Sequence, residues 1–136
     1  MTELLVPVSA GELLDKIAIL RIKAARIVSP EKVANVTREL HALEGVAMQG
    51  IQADPALPPL EAKLRAVNEA LWDIEDDIRA RDAAGDFGAD FVRLAQAVYR
   101  TNDRRAAIKR EINRVTDSAL VEEKSYHSHS GMSDAP

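Results

Sequence analysis

The sequence predicts an all-α, four-helix bundle-like domain, and three observations carry that expectation. Apolar residues recur at steps of three and four along nearly the whole chain, which is the period of a helix face. Ser9 and Ser29 stand as start signals where two of these stripes begin. Glycine and proline cluster at only a few breaks between stripes, and no stretch alternates at period two over a useful strand length.

The first helix is expected over residues 9–28. Ser9 and Glu12 form an S-x-x-E capping box, in which each side chain accepts from a backbone amide that the helix leaves unbonded, and Val8 and Leu13 are spaced as a hydrophobic staple. Leu13, Ile17, Leu20, Ala24 and Ile27 make its stripe. Ile19 and Ile22 fall off that stripe, so the helix is apolar on two sides and belongs at the bundle centre or in an oligomer interface.

The second helix, expected over 30–49, opens with Ser29 as N-cap and Pro30 at the first helical position, where no amide is needed. Its stripe of Val33, Val36, Leu40, Leu43 and Ala47 fades at Gly45 and Gly50. Asp54-Pro55-Ala56-Leu57-Pro58-Pro59 reads as a loop, because prolines cannot sit in a helix interior.

The third helix, expected over 59–83, keeps the most regular stripe: Leu60, Leu64, Val67, Leu71, Ile74 and Ile78. The fourth, expected over 88–116, carries Phe91, Leu94, Val98, Thr101, Arg105, Ile108, Ile112 and Val115, a stripe broken by two consecutive polar positions. The short connection at Gly85-Asp86-Phe87-Gly88 makes these two helices an antiparallel hairpin. Counting outward from that turn sets Asn68 near Asn102 and Arg105. The domain is expected to span 1–120, with 121–136 a flexible tail of Ser, His, Gly, Asp and Pro.

Composition narrows the function classes. A chain of 136 residues is one domain long, and with no cysteine it has no disulfide, thiolate nucleophile or Cys-based zinc site. A net charge of −4 and a pI near 5.4 argue against a general nucleic-acid binder. The N-terminus lacks a basic leader and no apolar run approaches the roughly 20 residues of a membrane span, so a cytoplasmic address is expected. Charge is segregated: Leu60 to Asp82 holds seven acids against four bases, and Phe91 to Asp117 seven bases against three acids. The hairpin's acidic and basic arms are therefore expected to face each other along their flanks.

Three segments carry a resemblance. They are Val6-Pro7-Val8-Ser9-Ala10-Gly11-Glu12-Leu13-Leu14-Asp15-Lys16-Ile17, Leu71-Trp72-Asp73-Ile74-Glu75-Asp76-Asp77-Ile78-Arg79, and Val98-Tyr99-Arg100-Thr101-Asn102-Asp103-Arg104-Arg105-Ala106. Lys109-Arg110-Glu111-Ile112-Asn113 and Glu122-Glu123-Lys124-Ser125-Tyr126 follow. Together they resemble a bacterial family of small helical proteins known only as a domain of unknown function. The resemblance implies a stand-alone helical domain with no activity to carry over, and a link to surface-polysaccharide metabolism.

The candidate site is the polar break of the fourth helix. Arg105, Asn102 and Asn68, with Arg104 and Lys16 nearby, form either a bonded polar layer that fixes helix register or an Arg/Asn-lined pocket for a small anionic ligand. Thr101 and Glu75 stand at the same level. Glu12 with Asp15, and Glu69, Asp73, Asp76 and Asp77, are spaced to hold Mg²⁺, but a capping box and a solvated acidic face explain them better, and no metal or cofactor is expected. His41 is a lone surface histidine, and His127-x-His129 lies in the tail. Ile19, Ile22, Trp72 and Tyr99 are the candidate interface residues, since each stands off its helix stripe.

These features point to a non-enzymatic helical module that works as a homo-oligomer or on a protein partner. The alternative is an anion-binding bundle or enzyme built on Arg105.

Overall fold

The computed structural model describes residues 2–125, and within them the chain is four helices and no strand. They are α1 (Ala10–Arg26), α2 (Pro30–Gly50), α3 (Leu57–Ala83) and α4 (Ala89–Val115). α1 and α2 begin where a serine side chain supplies a missing partner. Ser9 Oγ accepts from Glu12 N at 3.1 Å and Ser29 Oγ from Lys32 N at 3.5 Å, which are the two serine caps the sequence announced. α2 runs through Gly45 without a break.

α3 starts two residues before the expected 59, because Pro58 and Pro59 fall inside its first turn, where a missing amide costs nothing. Asp54 prepares that start: its carboxylate accepts from Ala56 N at 2.8 Å and its carbonyl from Leu57 N at 3.0 Å.

Two helices end in the same way. At the hairpin turn Gly85 takes φ +69°, with Gly85 N bonding Asp82 O and Asp86 N bonding Arg81 O. After α4, Asp117 takes φ 52°, with Asp117 N bonding Arg114 O and Ser118 N bonding Asn113 O. Both are Schellman caps, which consume carbonyls that a helix end would otherwise leave free.

α1 is the organising helix. It packs against α2, α3 and α4, whereas α2 approaches α1 alone. Gly11, Leu13, Leu14, Asp15, Ile17, Ala18, Leu20 and Ile22 are all buried, which is why its apolar residues fill two faces. Ile22 is 1% exposed and enclosed by its own chain, so it is not available to a second copy, and Ile19 is half-buried.

The core joins Leu13, Leu14 and Ile17 to Leu57, Leu60, Leu64 and Ile112, with Leu40, Leu43 and Ala47 of α2 packed on its edge. At ~25 cal/mol per Å² of apolar surface, burying each such side chain is worth about 1.5–3 kcal/mol.

α1 has 17 residues and the hairpin helices 27 each, so α1 covers only part of the hairpin. The C-terminal end of α1 is fixed by Arg26, whose guanidinium bonds Asp73 at 2.6 Å and lies 5.7 Å from the ring centre of Trp72. Beyond that level, Ile74 to Ala83 carries α3 onward by roughly 15 Å at about 1.5 Å per residue, together with the start of α4. We call this projecting half the tip and the half under α1 the root.

Every buried residue of α3 and α4 is in the root: Leu57, Leu60, Leu64, Val67 and Asn68, then Thr101, Lys109, Ile112 and Asn113. Within the tip, Ile74, Ile78, Phe91, Leu94 and Val98 are half-buried only.

Candidate functional site

α1 and α4 run antiparallel through the root, and a ladder of polar residues joins them. On α4 the rungs are Thr101, Arg105, Lys109 and Asn113, one per turn. Facing the last three are Asp15, Glu12 and Gly11 of α1.

At the centre is Asp15, only 1% exposed. Its carboxylate accepts from Asn68 Nδ2 at 2.8 Å, from Arg105 Nη2 at 2.6 Å, and from Arg105 Nε at 3.0 and 3.1 Å. Arg105 Nη1 in turn donates to Asn102 Oδ1 at 3.3 Å. Such a forked pair is strong because the planar guanidinium matches both carboxylate oxygens at once.

One turn further, the buried Lys109 donates to Glu12 at 2.7 Å and to both oxygens of Glu122 at 3.2 Å, and its ammonium lies 3.9 Å from Asp15. Burial works against the ammonium, but the bonds to Glu12 and Glu122 and the charge of Asp15 outweigh it. The Lys109 pKa is held above its ordinary value.

The final rung closes the N-terminus of α1. Gly11 N donates to Asn113 Oδ1 at 2.7 Å and Ala10 N to Ser118 Oγ at 3.2 Å. With Glu12 N on Ser9, three first-turn amides have acceptors within the chain. The approach is very close here: a Cβ on Gly11 would stand 2.5 Å from the carbonyl oxygen of Lys109. Glycine is required at this crossing for space, since its φ is ordinary.

The residues read from the sequence divide. Asn68, Asn102 and Arg105 do come together, on Asp15. Arg104 is exposed, with Nη2 on Thr101 Oγ1 at 3.1 Å, and Lys16 is exposed too. Glu75 pairs with Arg79 at 3.8 Å on the exposed tip and stands apart from this layer. Trp72 is half-buried beneath Arg26, and Tyr99 is 45% exposed with the Arg100 guanidinium 5.8 Å from its ring centre. His41 is exposed on α2, and His127 and His129 lie outside the described residues.

The expected acid-to-base facing within the hairpin does not occur. Among the described residues, the ion pair joining α3 to α4 is Arg81 with Asp90 at 3.4 Å, a base of α3 and an acid of α4.

Sequence reasoning missed the centre of this network. The spacing of Glu12 and Asp15 suits a shared metal ion, whereas in the structure Glu12 turns to Lys109 and Asp15 to Arg105. Among the described residues no group of three His, Asp or Glu side chains is placed to hold a metal ion. The signals were present: one acid between Leu14 and Ile17 on a two-sided apolar helix, and polar residues every fourth position at 101, 105, 109 and 113.

Beside the ladder is a groove of about 720 Å³ whose lining includes Glu12, Tyr99, Asn102, Arg105, Lys109 and Glu122. Its charged groups largely serve one another: Arg105 bonds Asp15, and Lys109 bonds Glu12 and Glu122.

A protein-family model described as a family of unknown function (DUF6165) matches residues 4–135. No curated protein and no solved structure matches this chain. The capped α1, the acidic α3 and the basic ladder of α4 all fall within the matched span, and the chain belongs to the DUF6165 family.

Proposed function

We propose that this protein is a non-enzymatic helical interaction module that holds a helical partner on the tip of its α3–α4 hairpin. One observation carries the reading: the root buries its seam under α1, and the same seam continues into the tip with no other helix of the described residues over it. Val92 and Tyr99 of α4 are 49% and 45% exposed. A two-helix ribbon cannot enclose its own apolar stripe, and further helices complete such a layer.

The polar ladder belongs to this reading as the clamp that fixes the hairpin on α1. The anion-binding alternative has one feature in its favour, the 27% exposure of the Arg105 side chain at the groove. Asp15 neutralises that guanidinium and Glu12 and Glu122 neutralise Lys109, so an incoming anion would have to displace carboxylates already in place.

The test is photo-crosslinking in the cell that makes the protein. A photoreactive residue at Ala95 on the tip should give a discrete adduct, and one at His41 on α2 should not. Adducts absent at 95, or equal at both positions, would remove the tip as a docking face.

A further inference from the structure

We propose that the groove beside the ladder binds a small monocarboxylate, and that Glu122 holds the ligand's place in the free protein. The inference is independent of the docking role of the tip. It starts from unspent hydrogen-bonding capacity on Arg105. A guanidinium has five N–H groups. Nε and one N–H of Nη2 go to Asp15, and one N–H of Nη1 goes to Asn102. Two remain, one on each Nη, with no acceptor among the described residues. The side chain is 27% exposed and lines the groove.

Lys109 is the neighbouring cation, one turn along the same face of α4. The carboxylates around it are unequal. Asp15 is sealed in the interior, and Glu12 bonds at 2.7 Å from the first turn of α1. Glu122 instead stands on a non-helical segment, is 45% exposed, and meets the ammonium at 3.2 Å through both oxygens. The same segment is tied again by Lys124, 3.7 Å from an exposed Asp103. Exposed ion pairs of this kind are weak, so the segment can swing away at little cost. Glu122 is the one carboxylate of the cluster that can leave. Its departure opens a position on Lys109 beside the two spare N–H groups of Arg105.

The charges that stay behind choose the ligand. A monocarboxylate replaces Glu122 charge for charge. A phosphate dianion would add a second negative charge beside Glu12, Asp15 and Asp103. Val98, Tyr99 and Ala106 line the same groove, so the body attached to the carboxylate is apolar, and an aromatic ring fits against Tyr99. A groove of about 720 Å³ is large enough for such a molecule. Glu122 follows α4 after a short linker, residues 116–121, and so competes at an effective concentration of roughly millimolar.

Benzoate is a suitable probe, titrated into the full-length chain at constant ionic strength by calorimetry and by amide NMR shifts. The wild type should bind it at roughly millimolar concentration or weaker, and Glu122→Ala should bind it about tenfold tighter. Shifts should centre on Asn102, Ala106 and Glu122 and spare α2. In the Glu122→Ala background, Tyr99→Ala should weaken benzoate several-fold with helical content unchanged. Inorganic phosphate should bind less well than benzoate throughout.

A folded Glu122→Ala that binds benzoate no better than the wild type overturns the proposal, as do shifts centred away from the groove. Phosphate binding as tightly as benzoate removes the monocarboxylate specificity. Should Glu122→Ala lose helical content, Glu122→Gln carries the same comparison, since it keeps a carbonyl for Lys109 and removes the competing charge.

Discussion

The root and the tip of the α3–α4 hairpin are written in the same code and end in different states. Leu60, Leu64 and Val67 in the root, and Ile74 and Ile78 in the tip, belong to one stripe on one helix. Leu64 is fully enclosed at 0% exposure, while the tip positions remain half-buried. The spacing that makes a helix amphipathic is thus separate from the burial that makes it stable. α1 decides the difference by stopping at Arg26.

The strongest way to break the comparison is to remove the carboxylate that seats α1 on the root. Asp15→Ala leaves a guanidinium and the Asn68 amide without their acceptor in a buried layer, and urea unfolding should show a loss of about 3–5 kcal/mol. A loss under ~1 kcal/mol would mean that apolar packing alone holds α1 in place, and the clamp would lose its role.

The same two halves can be compared with one substitution type. Leu64→Ala opens a cavity in the core and should cost ~2–5 kcal/mol, whereas Leu94→Ala should cost less than about 1.5 kcal/mol. Equal costs would show that the tip is packed as tightly as the root.

A smaller effect, confined to the root, is expected from Gly11→Ala. The added methyl meets the Lys109 carbonyl, and the two helices must separate at a cost of about 1–3 kcal/mol. Thermal melting would read it, and a neutral result would show that α1 can shift along α4 without strain.

Much of the fold was legible because its signals are local. The serine cap at Ser9, the Ser29-Pro30 start and the glycine turn at Gly85 each act within a few residues, and each lies where the sequence put it, although Glu12, the other half of the expected capping box, accepts from Lys109 instead. The early start of α3 escaped because prolines were weighed as breakers, although in a first turn they break nothing.

The site was legible only in part, for a physical reason. Asn68, Asn102 and Arg105 share a level of one hairpin, and counting from its turn brings them together. Asp15 reaches them across 90 residues of chain from Arg105, and no periodicity within α1 says which helix its carboxylate will meet. Glu122 is harder still, since it belongs to a non-helical segment that bonds back onto Lys109.

The bond from Ala10 N to Ser118 Oγ brings the two ends of the helical domain together, at the pole opposite the hairpin turn. Tension applied between those ends therefore peels α1 from α4 rather than shearing the bundle along its length. Ala10–Ser118 parts first, then Gly11–Asn113, then Glu12–Lys109, and last the fork between Asp15 and Arg105. The molecule is a zipper with its strongest tooth furthest in, and the tip beyond Arg26 carries none of the load until that tooth gives way.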